Sequence, residues 1–327
     1  MVTHWLAELD GTRIAVDVPG SSANLGAGYD CLGVALDLVN RIEVEVRGWS
    51  RGAIELTVDG EGANELPDSR ENRFVRGLEA ALQLARGEIP EGVGWRIEMR
   101  NAIPLSRGLG SSAAATIGGL VTGNALAGER LTTADLLRLA TEIEGHPDNA
   151  AAALLGGFVV AADLGGGRIE SHRFDVPRDL RAVIFVPERR LSTSDMRKVL
   201  PASVPREDAV ANIGRVAIGV AGIATGRTEL LRELTVDRIH EQYRAGVYPE
   251  LPRLVEAARE SGALGACLSG AGSSIVAFAD SVATITRIEG AFRAVAGDTD
   301  LDGRVIVVSP RNRGARIVAT RGGPSPR

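Results

Sequence analysis

The stretch Ile103-Pro104-Leu105-Ser106-Arg107-Gly108-Leu109-Gly110-Ser111-Ser112-Ala113-Ala114 decides how this chain is read. Before it lies a short alternating segment, residues 94–100, which predicts a strand. After it lies an Ala-rich segment, residues 111–127, which predicts a buried helix. Glycines at such a junction let backbone N–H groups approach a ligand with no Cβ in the way. The helix start adds unpaired N–H groups and the positive end of its dipole. Ser111 and Ser112 add hydroxyls suited to phosphate or to Mg²⁺.

Three other glycine-loop patterns fit less well. The Walker A loop needs Gly-Lys, and this chain has one lysine, Lys198. The protein-kinase pattern needs a lysine on a following strand. Gly108 to Ala113 does match G-x-G-x-x-A, but a dinucleotide fold needs a second strand ending in an acid about 20 residues on. Glu129 stands near that distance, in a Gly-Glu-Arg link between two predicted helices. A nucleotide site gripped by backbone amides and hydroxyls is the reading that remains.

The bulk properties agree with a globular enzyme. The chain has 327 residues, enough for two domains. Its net charge of -5 argues against a nucleic-acid partner. No apolar run approaches the roughly 18 residues of a membrane span. The first 18 residues carry Glu8, Asp10, Arg13 and Asp17, unlike a signal peptide. Cys31 and Cys267 suggest no disulfide framework, so a reduced, cytoplasmic setting is expected. A homodimer is a common state that nothing in the sequence specifies.

Periodicity predicts strands at residues 13–18, 41–47 and 53–58 and a helix at 72–86. A Gly/Ser/Asn-rich stretch, residues 19–33, separates the first two strands. Later strands are expected within 156–174 and at 180–186, 263–268, 274–278 and 304–308. Later helices are expected at 206–225, 227–234, 249–261 and 282–295. The order is α+β rather than a regular βαβ series. The expected division is an N-terminal domain at 1–170, a C-terminal domain at 171–318 and a disordered Gly/Pro/Ser-rich tail at 319–327.

Four segments in order resemble the GHMP kinases. The central loop resembles that family's P-x-x-x-G-L-G-S-S-A-A motif. Val18-Pro19-Gly20-Ser21-Ser22-Ala23-Asn24-Leu25-Gly26-Ala27-Gly28-Tyr29-Asp30 is similar to its first motif, and Leu268-Ser269-Gly270-Ala271-Gly272-Ser273-Ser274 to its third. Glu144-Gly145-His146-Pro147-Asp148-Asn149 is similar to a segment of the homoserine kinase branch. Three departures stand out: Ser273 replaces the usual proline, and Ala27 and Tyr29 replace proline and phenylalanine. The resemblance implies a two-domain fold. Its N-terminal domain would be like a ribosomal-protein domain, its C-terminal domain ferredoxin-like, and the active site between them. It also implies ATP and Mg²⁺ as cofactors and L-homoserine as substrate.

Homoserine is a zwitterion with a terminal hydroxyl, and the resemblance assigns candidates to each end. Asp30 suits the ammonium and Asn24 the same end or the hydroxyl, although an Asx turn fixing the loop explains the same pair. Arg197 and Arg244 suit the carboxylate through bidentate hydrogen bonding, with Thr193 a further donor. Asn149 stands where related kinases place an aspartate base, so it would orient the hydroxyl rather than deprotonate it. His146 would assist, or simply pack at a helix start. Ser112 and a glutamate would hold Mg²⁺; Glu142 and Glu144 both lie near the right place, with Glu144 preferred. Asn72 is either an adenine contact or a helix N-cap.

Overall fold

A computed structural model describes residues 5–48, 50, 52–89 and 92–322. Two sheets organise the chain. The first contains β1 (Arg13–Ala23), β2 (Leu32–Arg47), β3 (Ile54–Gly60), β4 (Gly94–Asn101), β5 (Phe158–Asp163), β6 (Ile169–Phe174) and a late strand, β11 (Arg316–Arg321). Their main order is β11-β1-β2-β4-β3, while β5 pairs with the start of β2 and β6 with β5. Only β3 and β4 run parallel within this sheet. The second sheet is antiparallel, ordered β10-β7-β9-β8, from β7 (Arg181–Pro187), β8 (Gly265–Leu268), β9 (Ile275–Ala279) and β10 (Gly303–Val308).

Helices α1 (Arg73–Arg86), α2 (Ser111–Leu126), α3 (Thr133–Glu144) and α4 (Asp148–Leu155) cover the first sheet. The sequence of α2 is apolar almost all round, because this helix is enclosed by α1, α3, α4 and β1. Its backbone presses so closely on α1 that a Cβ at Gly119 would meet Phe74 O at 1.9 Å. That contact explains the small residues: ordinary side chains would push the two helices apart.

The second half supplies α5 (Thr193–Lys198), α6 (Arg206–Thr225), α7 (Leu231–Leu234), α8 (Glu241–Arg244), α9 (Glu250–Glu260) and α10 (Val282–Asp298). Phe185, Tyr248, Leu251, Leu254, Ile288 and Phe292 join α9 and α10 to the second sheet in a core of their own. By length and composition α6 would be long and apolar enough to cross a membrane. Its buried Asn212 ties it instead to Ala27 O and to Asp237.

Two expectations about the chain's layout need correction. The strand expected at 13–18 runs on to Ala23, and β2 begins at Leu32, inside the stretch read as a loop. Gly20, Ser21 and Ser22 are poor strand formers by propensity, but they are buried and paired along β2, so packing overrides propensity. The domain limits also shift. The divide at 170/171 falls within β6, and β11 returns to pair with β1, so the first sheet contains residues from both ends of the chain. The expected tail is therefore strand as far as Arg321; residues 323–327 lie outside the described residues.

Candidate active site

The three glycine-rich segments meet at one place. Gly108 has φ +72°, and a Cβ there would lie 2.1 Å from Ser269 O. Ser269 Oγ donates to Gly108 O at 2.7 Å and lies 2.8 Å from Ser22 Oγ. Gly270 N–H donates to Ala23 O, and Ser274 N–H to Arg107 O. Strand β1, the central loop and the β8–β9 turn thus clamp one another through backbone contacts. Side chains larger than glycine or serine have no room there.

Beside this junction opens a cleft of about 430 Å³ between the two halves of the chain. Every predicted site residue lines it except Ala114, which is buried under the helix start. Gly110 caps α2 in a left-handed conformation without any side-chain cap. The first amides of α2 therefore have no intrahelical partner and face the cleft as an anion site. Arg107 lines the cleft with its guanidinium held by backbone carbonyls. Burial lowers its pKa, and its Nε, Nη1 and Nη2 donate to the carbonyls of Pro187, Leu105 and Glu188. Its guanidinium fastens the loop to the end of β7.

Of the two glutamates that the sequence left open, Glu144 is the one that lines the cleft. Ser112 Oγ donates to its Oε1 at 3.1 Å and Thr116 Oγ1 at 2.6 Å. Glu142 points away to Arg138, at 2.6 Å, on the exposed side of α3. Two residues apart on one helix, the glutamates cannot share a face. Ser112 and Glu144 bring together a hydroxyl and a carboxylate, the hard oxygen donors that Mg²⁺ prefers.

Asp148 is buried. Its Oδ1 accepts from Asn149 N–H at 2.7 Å and lies 2.6 Å from His146 Nδ1. Burial disfavours a charged His146, but the Asp148 carboxylate outweighs it and raises the histidine above its usual range. Asn149 lies at the helix start: a Cβ at Gly110 would stand 3.0 Å from its Oδ1. That oxygen accepts from Ser21 Oγ at 2.8 Å, which orients the Nδ2 group as a donor. Asp30, His146 and Asp148 form one cluster, their ligand atoms all within 4.8 Å.

The far end of the cleft carries the charged pair. Arg197 holds Asp30 with two nitrogens, at 2.6 and 3.0 Å. Arg244 is buried, and desolvation lowers its pKa. Its Nε donates to Met196 O and its Nη1 to Gly270 O, with His240 Nδ1 at 3.0 Å from Nη1. Nη2 has no hydrogen-bond partner among the described residues. Thr193 opens α5, whose N-cap is Ser192. Asn24 sits at φ +66° and braces the loop: Nδ2 donates to Gly270 O, and Oδ1 accepts from Asp30 N–H. At the opposite end Asn72 caps α1 and donates to Pro67 O. Ile42, Leu66, Pro67 and Met99 form an apolar wall beside it.

Sequence reasoning overlooked several of these partners. Ser21 and Thr116 orient Asn149 and Glu144 from a strand and a helix far away in sequence. Arg73 also approaches Glu144, at 3.6 Å. No local pattern marks such residues, because only the folded chain makes them neighbours.

Comparison with known proteins agrees with this geometry. Residues 72–157 match the GHMP kinases N terminal domain, and residues 220–297 match the GHMP kinases C terminal domain. A homoserine kinase from Moorella thermoacetica is 42% identical over 264 residues, covering 80% of this chain and 86% of that protein. One from Caldicellulosiruptor bescii is 43% identical over 267 residues, covering 82% and 84%. The solved structure of a homoserine kinase from Cytophaga hutchinsonii superposes with a TM-score of 0.82 at 30% identity, covering 94% and 97%. An L. major mevalonate kinase shares the fold at 16% identity, with a TM-score of 0.61. This chain belongs to the GHMP kinases, within their homoserine kinase branch.

Proposed function

We propose that this protein transfers the terminal phosphoryl group of ATP to the side-chain hydroxyl of L-homoserine, giving ADP and O-phospho-L-homoserine on the route to threonine. One observation carries the reading. The same cleft holds a bare helix N-terminus at one end and the Asp30, Arg197 and Arg244 set at the other, with Asn149 beside the helix start.

The α2 amides and the Gly108–Gly110 turn hold the triphosphate, and Asn72 with the apolar wall receives the adenine. Ser112 and Glu144 would hold Mg²⁺, which neutralises phosphate charge when bound. Asp30 takes the substrate ammonium, Arg197 and Arg244 its carboxylate, and Thr193 adds a hydroxyl. Asn24 acts through Asp30, whose loop it braces. The Asn149 amide donor, set by Ser21, fixes the acceptor hydroxyl in line with the phosphorus. A new O–P bond forms as the bond to ADP breaks. Asn149 cannot take the hydroxyl proton, which leaves to a phosphoryl oxygen or to water. His146, held by Asp148, assists by orienting the hydroxyl or a neighbouring phosphate. Phosphoryl transfer tolerates the lack of a strong base, because positioning and charge neutralisation supply most of the catalysis.

The test offers purified protein Mg-ATP with L-homoserine, mevalonate or galactose in turn, and follows ADP release. ADP release with L-homoserine alone is expected. Turnover of mevalonate or galactose but not homoserine would point to another kinase of the family. Failure to bind Mg-ATP would point to a non-catalytic member. Such a kinase works where ATP and amino-acid precursors are made, which is the basis for placing it in the cytoplasm.

A further inference from the structure

Tyr29 precedes Asp30 in the loop between β1 and β2, and both side chains converge on one arginine. Arg197 Nη1 donates to Tyr29 Oη at 2.9 Å and to Asp30 Oδ2 at 3.0 Å, while Nη2 donates to Asp30 Oδ1 at 2.6 Å. The Tyr29 ring also lies against both guanidiniums. Its centroid is 5.5 Å from Arg197 Cζ and 5.6 Å from Arg244 Cζ, within cation–π range. The ring has firm backing. His240 packs on it with centroids 5.2 Å apart, and His240 is itself buried, with Nε2 2.9 Å from Gly26 O. Tyr29 is not among the residues that line the cleft, whereas Asp30, Arg197 and Arg244 are. It stands behind the charged groups rather than among them.

An amino-acid zwitterion disturbs this arrangement in a definite way. Its ammonium competes with Arg197 for the Asp30 carboxylate. As Asp30 turns to the ammonium, Arg197 loses both oxygens that now fix its plane. Among the described residues, the one side-chain hydrogen-bond partner left to it is the Tyr29 hydroxyl. A phenylalanine would keep the aromatic face under the guanidiniums and lose that anchor.

We infer that Tyr29 is a positioning residue for the substrate. Its hydroxyl holds Arg197 in the orientation that receives the substrate carboxylate while Asp30 engages the ammonium. Affinity for the amino-acid end is then set partly by a group that does not touch the substrate. The inference rests on the reading of the cleft as an amino-alcohol acid site.

The Tyr29→Phe variant removes the hydroxyl and keeps the ring. It is expected to raise KM for L-homoserine about tenfold, the worth of one hydrogen bond to a charged group, with kcat and KM for ATP within about twofold of the parent. The preference for homoserine over aminopropanol, which lacks the carboxylate, should narrow by the same factor. A general loosening of the fold would instead raise KM for ATP and lower the thermal midpoint. Unchanged KM for homoserine in an active variant, or equal rises in KM for both substrates, would overturn the role of Tyr29 alone. A parent enzyme inactive on L-homoserine would overturn the reading of the cleft together with this inference.

Discussion

Arg197 and Asp30 close on each other across the cleft, Nη2 to Oδ1 at 2.6 Å and Nη1 to Oδ2 at 3.0 Å, a bidentate pair built from residues 167 apart in sequence. The two ends of an amino acid carry the complementary charges, one for each partner. In the proposed reading the protein holds its cation and anion ready by pairing them with each other, and the substrate would take over both.

Asp30→Asn removes the anion and keeps the shape. KM for L-homoserine should rise about a hundredfold, because an ammonium bound to a partly buried carboxylate loses its charged partner. KM for ATP should stay within about twofold of the parent, since the phosphate end is untouched. Steady-state kinetics with each substrate varied in turn checks both values. A comparable rise for ATP would place Asp30 elsewhere in the mechanism.

Asn149→Ala removes the donor beside the helix start. Its effect should fall on kcat, by about ten- to a hundredfold, because in-line positioning is realised at the reacting atoms. Ser21→Ala should give a smaller fall in the same constant, because it frees the amide to rotate without removing it. A Ser21→Ala loss larger than that of Asn149→Ala would show that the serine acts on its own.

Glu144→Gln and Glu142→Gln separate the two neighbouring glutamates. The first should raise the Mg²⁺ concentration for half-maximal rate by about tenfold or more. The second removes only an exposed pair with Arg138 and should leave that concentration unchanged. Magnesium titrations at saturating ATP decide the matter, and equal effects would contradict the geometry.

The buried cluster behind the cleft sets a pH dependence of stability. Burial raises the Glu241 carboxyl from 4.5 to about 8 and lowers His240 from 6.5 to about 4. Between pH 6.5 and 8 the histidine is neutral when folded, and when unfolded it sheds its remaining half charge over the lower part of that window. Glu241 is protonated when folded and ionised when unfolded, so folding takes up a proton. Stability therefore falls as pH rises through that window. Between pH 4.5 and 6.5 the unfolded histidine gains a proton, and the two effects oppose each other. Glu241→Gln should flatten the fall above pH 6.5, read as thermal midpoints at pH 6.5 and pH 8. An equal fall in the variant would assign the dependence to another group.

Gly108→Ala tests the clamp between the glycine segments. The new methyl would meet Ser269 O at 2.1 Å at a residue with φ +72°. Destabilisation of roughly 2 kcal/mol or more is expected, together with weakened ATP binding. Thermal melts and nucleotide titration measure the two effects, and a variant with parental values in both would show that the loop has room to move.

Parts of this molecule were legible in the residues alone. The glycine loop between a strand and an Ala-rich helix is a local pattern, and local geometry alone makes it an anion site. The helices at 73–86 and 206–225 follow from periodicity, and the motif resemblance brought Asn149, Arg197 and Arg244 to notice. Other features depend on distant neighbours. Glu144 and Glu142 look alike in sequence; only the packing of α3 on α2 turns one toward Ser112 and the other toward solvent. Arg107 shows no partner in the sequence until β7 brings up the Pro187 and Glu188 carbonyls. β11 reads as the edge of a disordered tail until β1 offers it a partner. Side-chain chemistry and short-range backbone preference are written along the chain, whereas partners distant in sequence exist only once burial has brought them together.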